Sequence, residues 1–295
     1  MDKVDLTQML RAKAITPQAA VEMHELEGFI RIGDVPLEKL RARVLDCGFP
    51  AFNEQYLFKE GRGELIIVGA RTSAGKSAMV MQIAQHVASQ GKEVVVYSSE
   101  MSVESLTRRT LAGKAGVSTH DIMSGRAGTK ALDRAHEGLK QLPITLTSKG
   151  CRNIQYLCNT ARALHRHKPL SLIVVDYIQN ITQRGGYNRS QEIGKVSMLL
   201  RELAVELSVP VLAAAQLNRQ AVNREHKEGF LPDLADLKDS GEIEQDADAV
   251  VLISRSKPDE ADIVIAKARD GRTGHMKFKW DGPTSRFSDP SDDSL

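Results

Sequence analysis

The run ARTSAGKS, residues 70–77, constrains the fold of this 295-residue chain most strongly. It follows the apolar run ELIIVG at 64–69 and precedes the helical run AMVMQIAQHVA at 78–88. A strand, a glycine-containing loop and a helix in that order are the context in which a phosphate-binding loop is expected. The alternative is a glycine turn with an incidental lysine. One departure is visible, because Ala70 stands where the first glycine of the motif is usual, with Gly69 just before it.

A phosphate-binding loop directs its backbone amides and the helix N-terminus at phosphate oxygens. We expect Lys76 to reach the β- and γ-phosphates of ATP and the Ser77 hydroxyl to hold Mg²⁺. The residues predicted to bind the nucleotide are Ala70, Arg71, Ser73, Ala74, Gly75, Lys76, Ser77 and Ala78.

The net charge of +2 does not by itself indicate a nucleic-acid-binding protein. Any contact with nucleic acid must therefore come from local patches. No apolar run approaches the length of a membrane span, and the N-terminus does not resemble a signal peptide. Three cysteines without CxxC spacing favour reduced thiols. These features predict a cytoplasmic protein.

Strand and helix signals alternate from about residue 62 onward. The strand candidates are continuous aliphatic runs, which are typical of parallel strands covered on both faces. They lie at 64–69, 93–99, 143–147, 170–176 and 209–215. Helical patterns separate them at 79–90, 103–113, 130–141, 152–166 and 190–207. This alternation predicts an α/β fold with a mainly parallel, doubly wound sheet.

The two ends of the chain differ from this core. Residues 247–254, 261–269 and 274–280 alternate more and predict antiparallel strands at the sheet edge. Near the start, Leu37, Leu40 and Val44 fall at helical spacing and predict a short amphipathic helix over about 36–46. Such a helix is too short to be stable alone, so it packs either on its own core or on a neighbouring subunit.

Three polar side chains follow predicted strands. Asp176 ends LIVVD, where a carboxylate faces the ligand crevice of a parallel sheet and is expected to hold Mg²⁺ through water opposite Ser77. Glu100 in YSSEM is expected to polarise the water that attacks the γ-phosphate. Gln216 in AAAQLNR is expected to sense that phosphate. The alternatives are a turn-capping aspartate, a charge at a helix N-terminus and a hydrogen-bonded loop residue.

Taken in order, several motifs resemble one family. They are ELIIVGARTSAGKS, YSSEM, LIVVDYIQNI, VPVLAAAQLNR, DLKDSGEIEQDADAVVLISR, IVIAKARDGRTG and KWDGPTSRF. The chain from about 60 to 288 resembles the RecA-like motor domain of DnaB-family bacterial replicative DNA helicases. The N-terminal helical domain usual in that family has no counterpart, so we expect either a compact, phage-type helicase or a truncated chain.

The resemblance implies an ATP-hydrolysing DNA helicase that works as a hexameric ring, with ATP between neighbours and 5′ to 3′ translocation on single-stranded DNA. It implies catalytic roles for Lys76, Glu100 and Gln216. Lys267 and Arg269 would reach the ATP of the neighbouring subunit. Read without the family, these two residues are alternate positions on one face of an edge strand, which favours a solvated face.

Two segments are implied to line the DNA channel. In 236–248 the contacts would come from Lys238, Asp239 and Gly241, where lysine and aspartate replace the family's usual arginine and glutamate. Lysine cannot hold a phosphate bidentately, so the grip would be weaker or differently placed. In 183–195 the contacts would come from Arg184 and Arg189. Without the family, the acidic segment 236–248 would be interpreted as a solvated surface loop, and for Tyr187 in 183–195 a flexible surface loop is the alternative to stacking on a base.

The predicted organisation is an N-terminal leader with a linker helix (1–60), a RecA-like ATPase motor domain (61–288) and a disordered tail (289–295). The linker helix would dock on the adjacent motor domain. The expected partners are single-stranded DNA, further copies of the chain in a homohexamer, a primase and a helicase loader. The rival functions are a recombinase-like filament protein and a regulatory ATP-binding ring.

Overall fold

The computed structural model describes residues 32–183, 188–218, 231–237 and 240–289. The chain divides into two compact units, Met1–Ala42 and Arg43–Leu295. The described part of the first unit holds a 3-10 turn at Ile32–Asp34 and the single helical turn α1, Leu37–Leu40. Ile32, Leu37 and Leu40 are exposed.

The helix predicted over 36–46 is therefore too long. Arg41 is extended at the end of α1, with φ −80° and ψ 126°. In the second unit, the Leu45 amide donates to the Phe58 carbonyl at 3.0 Å and the Glu60 amide to the Arg43 carbonyl at 2.9 Å. Leu45 is buried in the core. Long-range backbone pairing thus overrides a helical pattern that was too short to be stable alone.

The helices of the second unit lie mainly between the strands in sequence. They are α2 (Pro50–Glu54), α3 (Lys76–Ser89), α4 (Val103–Ala115), α5 (Thr119–Met123), α6 (Thr129–Lys140), α7 (Ile154–His167), α8 (Arg189–Leu207) and α9 (Ser240–Asp246). Short 3-10 turns occur at Ile178–Asn180 and Leu234–Asp236. No helix in the described ranges combines the length and apolarity needed to span a bilayer.

Within the described residues, nine strands form one sheet in the order β3-β2-β4-β5-β1-β6-β7-β8-β9. The strands are β1 (Leu65–Ala70), β2 (Glu93–Ser98), β3 (Ile144–Thr147), β4 (Leu170–Asp176), β5 (Val211–Gln216), β6 (Ala249–Ser254), β7 (Glu260–Ala268), β8 (Gly274–Asp281) and β9 (Arg286–Ser288). β1 to β6 run parallel, and β7 to β9 continue antiparallel. The predicted α/β fold with antiparallel C-terminal edge strands is confirmed.

One strand was grouped wrongly. The run 247–254 was expected among the antiparallel strands, but β6 pairs parallel with β1, from Ile66–Ala249 to Ala70–Ile253. All six residues of β6 are buried, as in β1. Strand β7 instead alternates between buried and half-buried residues. The change from continuous to alternating burial marks where the parallel part ends.

Two hydrophobic layers cover the sheet. On one face, α3 packs through residues such as Met79, Ile83 and Val87, together with Phe52 and Phe58. On the other face lie α7 and α8, with side chains such as Leu157, Leu200 and Leu203. Because both faces are covered, ligand-binding groups must lie at the edges where the parallel strands end.

Asp289 begins the tail predicted to be disordered from 289. It is buried, and its carboxylate accepts a hydrogen bond from the Ala51 amide at 3.0 Å. The remaining tail residues and the leader up to residue 31 lie outside the described residues.

Candidate active site

The phosphate-loop candidate leaves β1 and enters α3 at Lys76. Gly75 precedes the helix in the left-handed region, with φ 104°. A Cβ on Gly75 would lie 2.5 Å from the Phe287 ring, so both the dihedral angle and the space require glycine. Ser73 is also left-handed, with φ 64°. This tight turn brings the N-terminus of α3 to the carboxyl end of β1.

The Ala70 departure has a structural explanation. Ala70 is the last residue of β1, and its carbonyl accepts from the Leu217 amide at 3.1 Å. At its neighbour Gly69, a Cβ would lie 2.7 Å from Leu252 Cδ2 and 2.9 Å from Leu237 Cδ2, so both leucine side chains would have to shift. The glycine before the loop therefore lets the sheet pack closely at this point.

A cavity of about 420 Å³ lies at the carboxyl edge of the parallel strands. It brings together most of the residues predicted to bind the nucleotide, namely Arg71, Ser73, Gly75, Lys76, Ser77 and Ala78. The predicted catalytic residues Glu100 and Gln216 line it too. Ala70 and Ala74 are buried and do not line it. A neighbouring cavity of about 360 Å³ beside α3 and α4 has no carboxylate among the described residues that line it. The 420 Å³ cavity is therefore the candidate nucleotide site.

Lys76 is only 8% exposed. Its Nζ lies 4.1 Å from the centroid of the Tyr177 ring, within the range of a cation–π contact. Burial lowers the pKa of Lys76, while the nearby Asp176 and Glu100 carboxylates oppose that shift. A phosphate would add negative charge beside this desolvated ammonium and favour its charged form.

Asp176 is buried at the end of β4, and neither carboxylate oxygen accepts a hydrogen bond of normal geometry from the described residues. Burial raises the pKa of Asp176, and the neighbouring Ser77 hydroxyl and Lys76 ammonium oppose this. An unpartnered buried carboxylate is costly unless a cation joins it. Oxygen atoms from Asp176 and Ser77 are the ligand type that Mg²⁺ prefers, so these residues fit that ion.

No cluster of three His, Cys, Asp or Glu side chains suited to a metal occurs among residues 32–183, 188–218, 231–237 and 240–289. A divalent cation at Asp176 would therefore take its further ligands from water and phosphate oxygens, as is usual for Mg²⁺ with a nucleotide.

Ser99 ties the ends of β2 and β4 together. Its amide donates to the Asp176 carbonyl at 2.7 Å, and its hydroxyl accepts from the Tyr177 amide at 3.0 Å. The Asp176–Tyr177 peptide is cis. Glu100, which directly follows Ser99 in the chain, is exposed at the cavity. Helix α4 is capped by Ser102, whose hydroxyl accepts from the Ser105 amide, so Glu100 precedes the helix cap.

Gln216 ends β5, and its side-chain amide donates to the Thr72 hydroxyl at 2.9 Å. Its backbone is held by Gln179 through two hydrogen bonds of 3.0 and 3.1 Å. The predicted sensing residue is thus already connected to the phosphate loop.

Lys267 and Arg269 lie at the opposite end of the sheet. The Lys267 ammonium donates to the Glu244 carbonyl. Arg269 donates to the Gln245 carbonyl at 2.7 Å and to the Asp248 carboxylate at 3.1 Å. Asp248 is paired by backbone with Leu65 at the start of β1, whereas the phosphate loop follows the end of β1. At about 3.3 Å per residue along the strand, Arg269, beside Leu65, lies roughly 17 Å from the level of Ala70. Lys267, opposite Val250 and thus level with Ile67, lies about 10 Å from it.

Only some of the residues predicted to contact DNA lie within the described ranges. Arg189 begins α8, with its guanidinium on Glu192 at 2.8 Å and on the Gln179 carbonyl. Gly241 was expected in a loop, but it lies in the first turn of α9, which Ile243 anchors in the core. Arg184, Lys238 and Asp239 lie outside the described residues.

Several residues of the site escaped sequence reasoning. Arg255 donates to the Ser73 carbonyl at 3.1 Å, and its guanidinium lies 4.8 Å from the centre of the Trp280 ring. Arg109 also lines the cavity. The sequence did contain a signal for Arg255, because a polar residue directly after a buried strand lies at the same sheet edge as Asp176. Arg255 follows β6, and Asp176 ends β4. No comparable signal marks Arg109.

Comparison with known proteins places this geometry in a family. Residues 45–289 match the family model for the DnaB-like helicase C terminal domain. The chain belongs to the DnaB-like helicase family. It is 32% identical over 231 residues to the probable plasmid replicative DNA helicase of Chlamydia muridarum (strain MoPn / Nigg), covering 77% of the chain and 51% of that protein. It is 34% identical over 240 residues to the replicative DNA helicase DnaB of Geobacillus stearothermophilus, covering 77% and 52%.

The chain thus spans about half the length of the curated DnaB relatives it matches. Among solved structures, a DnaB-like replicative helicase described with its primase interactions superposes with a TM-score of 0.80 at 23% identity, over 96% of this chain and 74% of that one. A second solved structure, described as an ATPase domain, superposes with a TM-score of 0.77 at 23% identity, over 98% and 99%. These likenesses show the RecA-like DnaB fold.

Proposed function

We propose that this chain is the motor of an ATP-dependent replicative DNA helicase that translocates on single-stranded DNA and unwinds duplex. The observation that carries the proposal is the convergence of Lys76, Ser77, Glu100 and Gln216 on one cavity, with the unpartnered Asp176 carboxylate at the end of the adjoining strand. Membership of the DnaB-like helicase family selects DNA translocation among the uses of such a site.

In the proposed reaction, the amides of the 70–77 loop and the Lys76 ammonium hold the phosphates of ATP. Glu100 orients the attacking water and accepts its proton, since a carboxylate at the cavity mouth is within reach of solvent. Gln216 exchanges its Thr72 partner for the γ-phosphate. Mg²⁺, held by Ser77 and Asp176, would neutralise charge on the phosphates.

Lys267 and Arg269 act on the ATP of another copy in this proposal. Their donors are bonded to the Glu244 and Gln245 carbonyls and to Asp248, which itself pairs with the start of β1, whereas the phosphate loop follows the end of that strand; this supports action on a neighbour's ATP. A surface that meets a different surface on the next copy generates a ring if the rotation closes and a helical filament if it does not. We propose the closed form, a homohexamer. The exposed leucines of α1 would contribute to the same assembly.

For the DNA we propose contacts from Arg184 and Arg189 and from Lys238, Asp239 and Gly241. Such contacts track the sugar–phosphate backbone and need no base recognition. We further propose 5′ to 3′ movement, a cytoplasmic location, and a primase and a loader as partners. One solved DnaB-like relative is described together with its primase interactions.

The test measures ATP hydrolysis by the full-length chain with and without single-stranded DNA, and strand displacement on a forked duplex. We expect DNA to stimulate hydrolysis about fivefold or more, within the usual range of coupling between two sites. ATP-dependent displacement would separate a helicase from a recombinase-like filament and from a regulatory ring. An absence of both stimulation and displacement would contradict the proposal.

A further inference from the structure

Gln179 is hydrogen-bonded both to Gln216 in the candidate active site and to Arg189, one of the residues proposed to contact DNA. It is 7% exposed, in the 3-10 turn Ile178–Asn180 that follows β4. Its side-chain oxygen accepts from the Gln216 amide at 3.0 Å, and its side-chain nitrogen donates to the Gln216 carbonyl at 3.1 Å. One carboxamide thus satisfies both backbone groups of one residue, which needs a donor and an acceptor on the same side chain.

The residue that Gln179 holds is in turn bonded to the phosphate loop. The Gln216 side chain donates to the Thr72 hydroxyl at 2.9 Å. Because the backbone of Gln216 is fixed at both polar atoms, its side chain pivots from a defined point at the end of β5. A shift of the turn at 178–180 is therefore passed to the end of β5.

The backbone of Gln179 faces the other way. Its carbonyl accepts from the Arg189 guanidinium, which also pairs with Glu192 at 2.8 Å. Arg189 is the first residue of α8, and its side chain is 41% exposed. A DNA phosphate is a stronger acceptor for a guanidinium than a neutral carbonyl, so phosphate binding would draw Arg189 away from Gln179.

We propose that Gln179 is a positioning residue that carries the state of Arg189 to Gln216. Without DNA, Arg189 holds the 178–180 turn, and Gln216 stays on Thr72. When a DNA phosphate takes Arg189, the turn relaxes, and Gln179 moves the end of β5 so that Gln216 leaves Thr72 for the γ-phosphate. This inference rests on the proposed function, because it assumes that single-stranded DNA stimulates ATP hydrolysis.

The test substitutes Gln179→Met, which keeps the length of the side chain and removes both hydrogen bonds. The readouts are ATP turnover with and without single-stranded DNA, the KM for ATP, and DNA affinity by fluorescence anisotropy. We expect the stimulation ratio to fall below about twofold from a wild-type value of about fivefold or more. DNA affinity stays within about twofold, because the Arg189 guanidinium remains available to phosphate.

Gln82→Met is the matched control. Gln82 makes the same pair of hydrogen bonds to one backbone residue, donating to the Phe287 carbonyl at 3.0 Å and accepting from the Phe287 amide at 2.7 Å. It lies on α3, and these two hydrogen bonds go to Phe287 and not to Gln216. The variant should lose the same kind of contact and retain the wild-type stimulation ratio.

Gln179→Glu gives a second readout in case the methionine variant does not fold. A protonated carboxyl can donate and accept as the amide does, whereas a carboxylate can only accept. The variant should therefore recover part of the stimulation ratio at pH 6 relative to pH 8, with the wild type measured at both pH values. A role that does not depend on these two hydrogen bonds predicts no such recovery.

Three results would overturn the relay. They are wild-type stimulation in Gln179→Met, an equal loss in Gln82→Met, and a pH-independent ratio in Gln179→Glu. A wild-type protein that DNA does not stimulate would instead contradict the proposed function, and the relay would fail with it.

Discussion

The two ends of the parallel sheet handle charge in opposite ways. At the carboxyl end, the Asp176 oxygens are buried without hydrogen-bond partners among the described residues, and Lys76 is desolvated against an aromatic ring. At the amino end, Asp248 is also buried, but it accepts from the Leu65 amide at 2.9 Å, from Arg269 at 3.1 Å and from Arg201. The first end is incomplete without a ligand, whereas the second is satisfied within one chain.

We interpret the carboxyl end as a site that binds a ligand and the amino end as a surface that acts on a neighbouring copy. The carboxyl end should gain stability when phosphate and a cation arrive, because burial disfavours the charged forms of Lys76 and Asp176 and each ligand adds an opposite charge beside one of them. At the amino end, Lys267 and Arg269 already bond the last carbonyls of α9, a favourable place for cations at a helix C-terminus. To serve a neighbour, they must redirect donors that are in use. We therefore expect this end to act only after assembly.

The largest expected effect is that of Lys76→Ala. Removal of the desolvated ammonium takes away a preorganised charge at the phosphates, so turnover should fall about 10³-fold. Steady-state ATP hydrolysis measures it. Lys92→Ala is the control, since Lys92 forms a half-exposed pair with Glu60. Turnover in Lys76→Ala within about tenfold of wild type would contradict the role.

The next effect is that of Arg269→Ala at the amino end. Turnover should fall about 10²-fold, while nucleotide affinity changes little because the phosphate loop is intact. Fluorescent-nucleotide titration and turnover assays separate the two quantities. Arg201→Ala is the matched control, because it removes the other arginine from Asp248 and leaves Arg269 in place. Equal loss in both variants would assign the effect to folding.

Asp248→Asn should reduce stability. The substitution removes the negative charge that Arg201 and Arg269 share. These arginine side chains are 28% and 44% exposed, so water reduces the cost of leaving them without that charge. We expect a loss of about 2 kcal/mol in the free energy of unfolding. Urea unfolding measures it, with Asp121→Asn, at a more exposed carboxylate, as a control that should change stability less. An unchanged midpoint would show that the amino end is not held by the Asp248 carboxylate.

Asp176→Asn should have the smallest effect on stability and the opposite sign. Without nucleotide or divalent cation, the variant relieves a buried unpartnered charge and should gain about 1 kcal/mol. Burial raises the pKa of Asp176, so the stability contributed by its protonated form is complete below the ordinary pKa of 3.8 and is lost as pH rises through the raised value. The gain should therefore grow between pH 4 and neutrality.

Unfolding measured across that pH range in the presence of a chelator checks this sign. Mg²⁺ with a non-hydrolysable ATP analogue should cancel or reverse the gain, since only the wild type can pair the cation with a carboxylate. A variant that is less stable than wild type at every pH would indicate that Asp176 is satisfied by its own fold.

The carboxyl end was largely predictable from sequence, and the amino end was not. Asp176 and Glu100 follow aliphatic runs, and parallel strands place such residues at one edge regardless of loop detail. At the amino end, Asp248 and Arg201 come from distant parts of the chain and have no local pattern. Gln179 at the carboxyl end was missed for the same reason, since its partner Gln216 lies on another strand. The same limit explains the overlong helix at 36–46, where Leu45 is buried by pairing with Phe58.

The direction of β6 was missed for another reason. Its sequence AVVLIS is as continuously aliphatic as that of β1, but it was grouped with the two alternating segments that follow it in the chain. In the folded sheet, β6 lies between β1, to which it is parallel, and β7, to which it is antiparallel. Which strands become neighbours depends on how the whole core packs and is not encoded in the six residues of β6.

The most direct test of an active site divided between two copies is a mixture of Glu100→Gln and Arg269→Ala chains. Each variant alone should be nearly inactive. In mixed assemblies, about a quarter of the head-to-tail interfaces would join an intact Glu100 to a neighbour's intact Arg269, and ATP turnover should recover to about that fraction of wild type. Turnover that stays at the mean of the two separate variants would place both residues in the same chain's site and contradict the account.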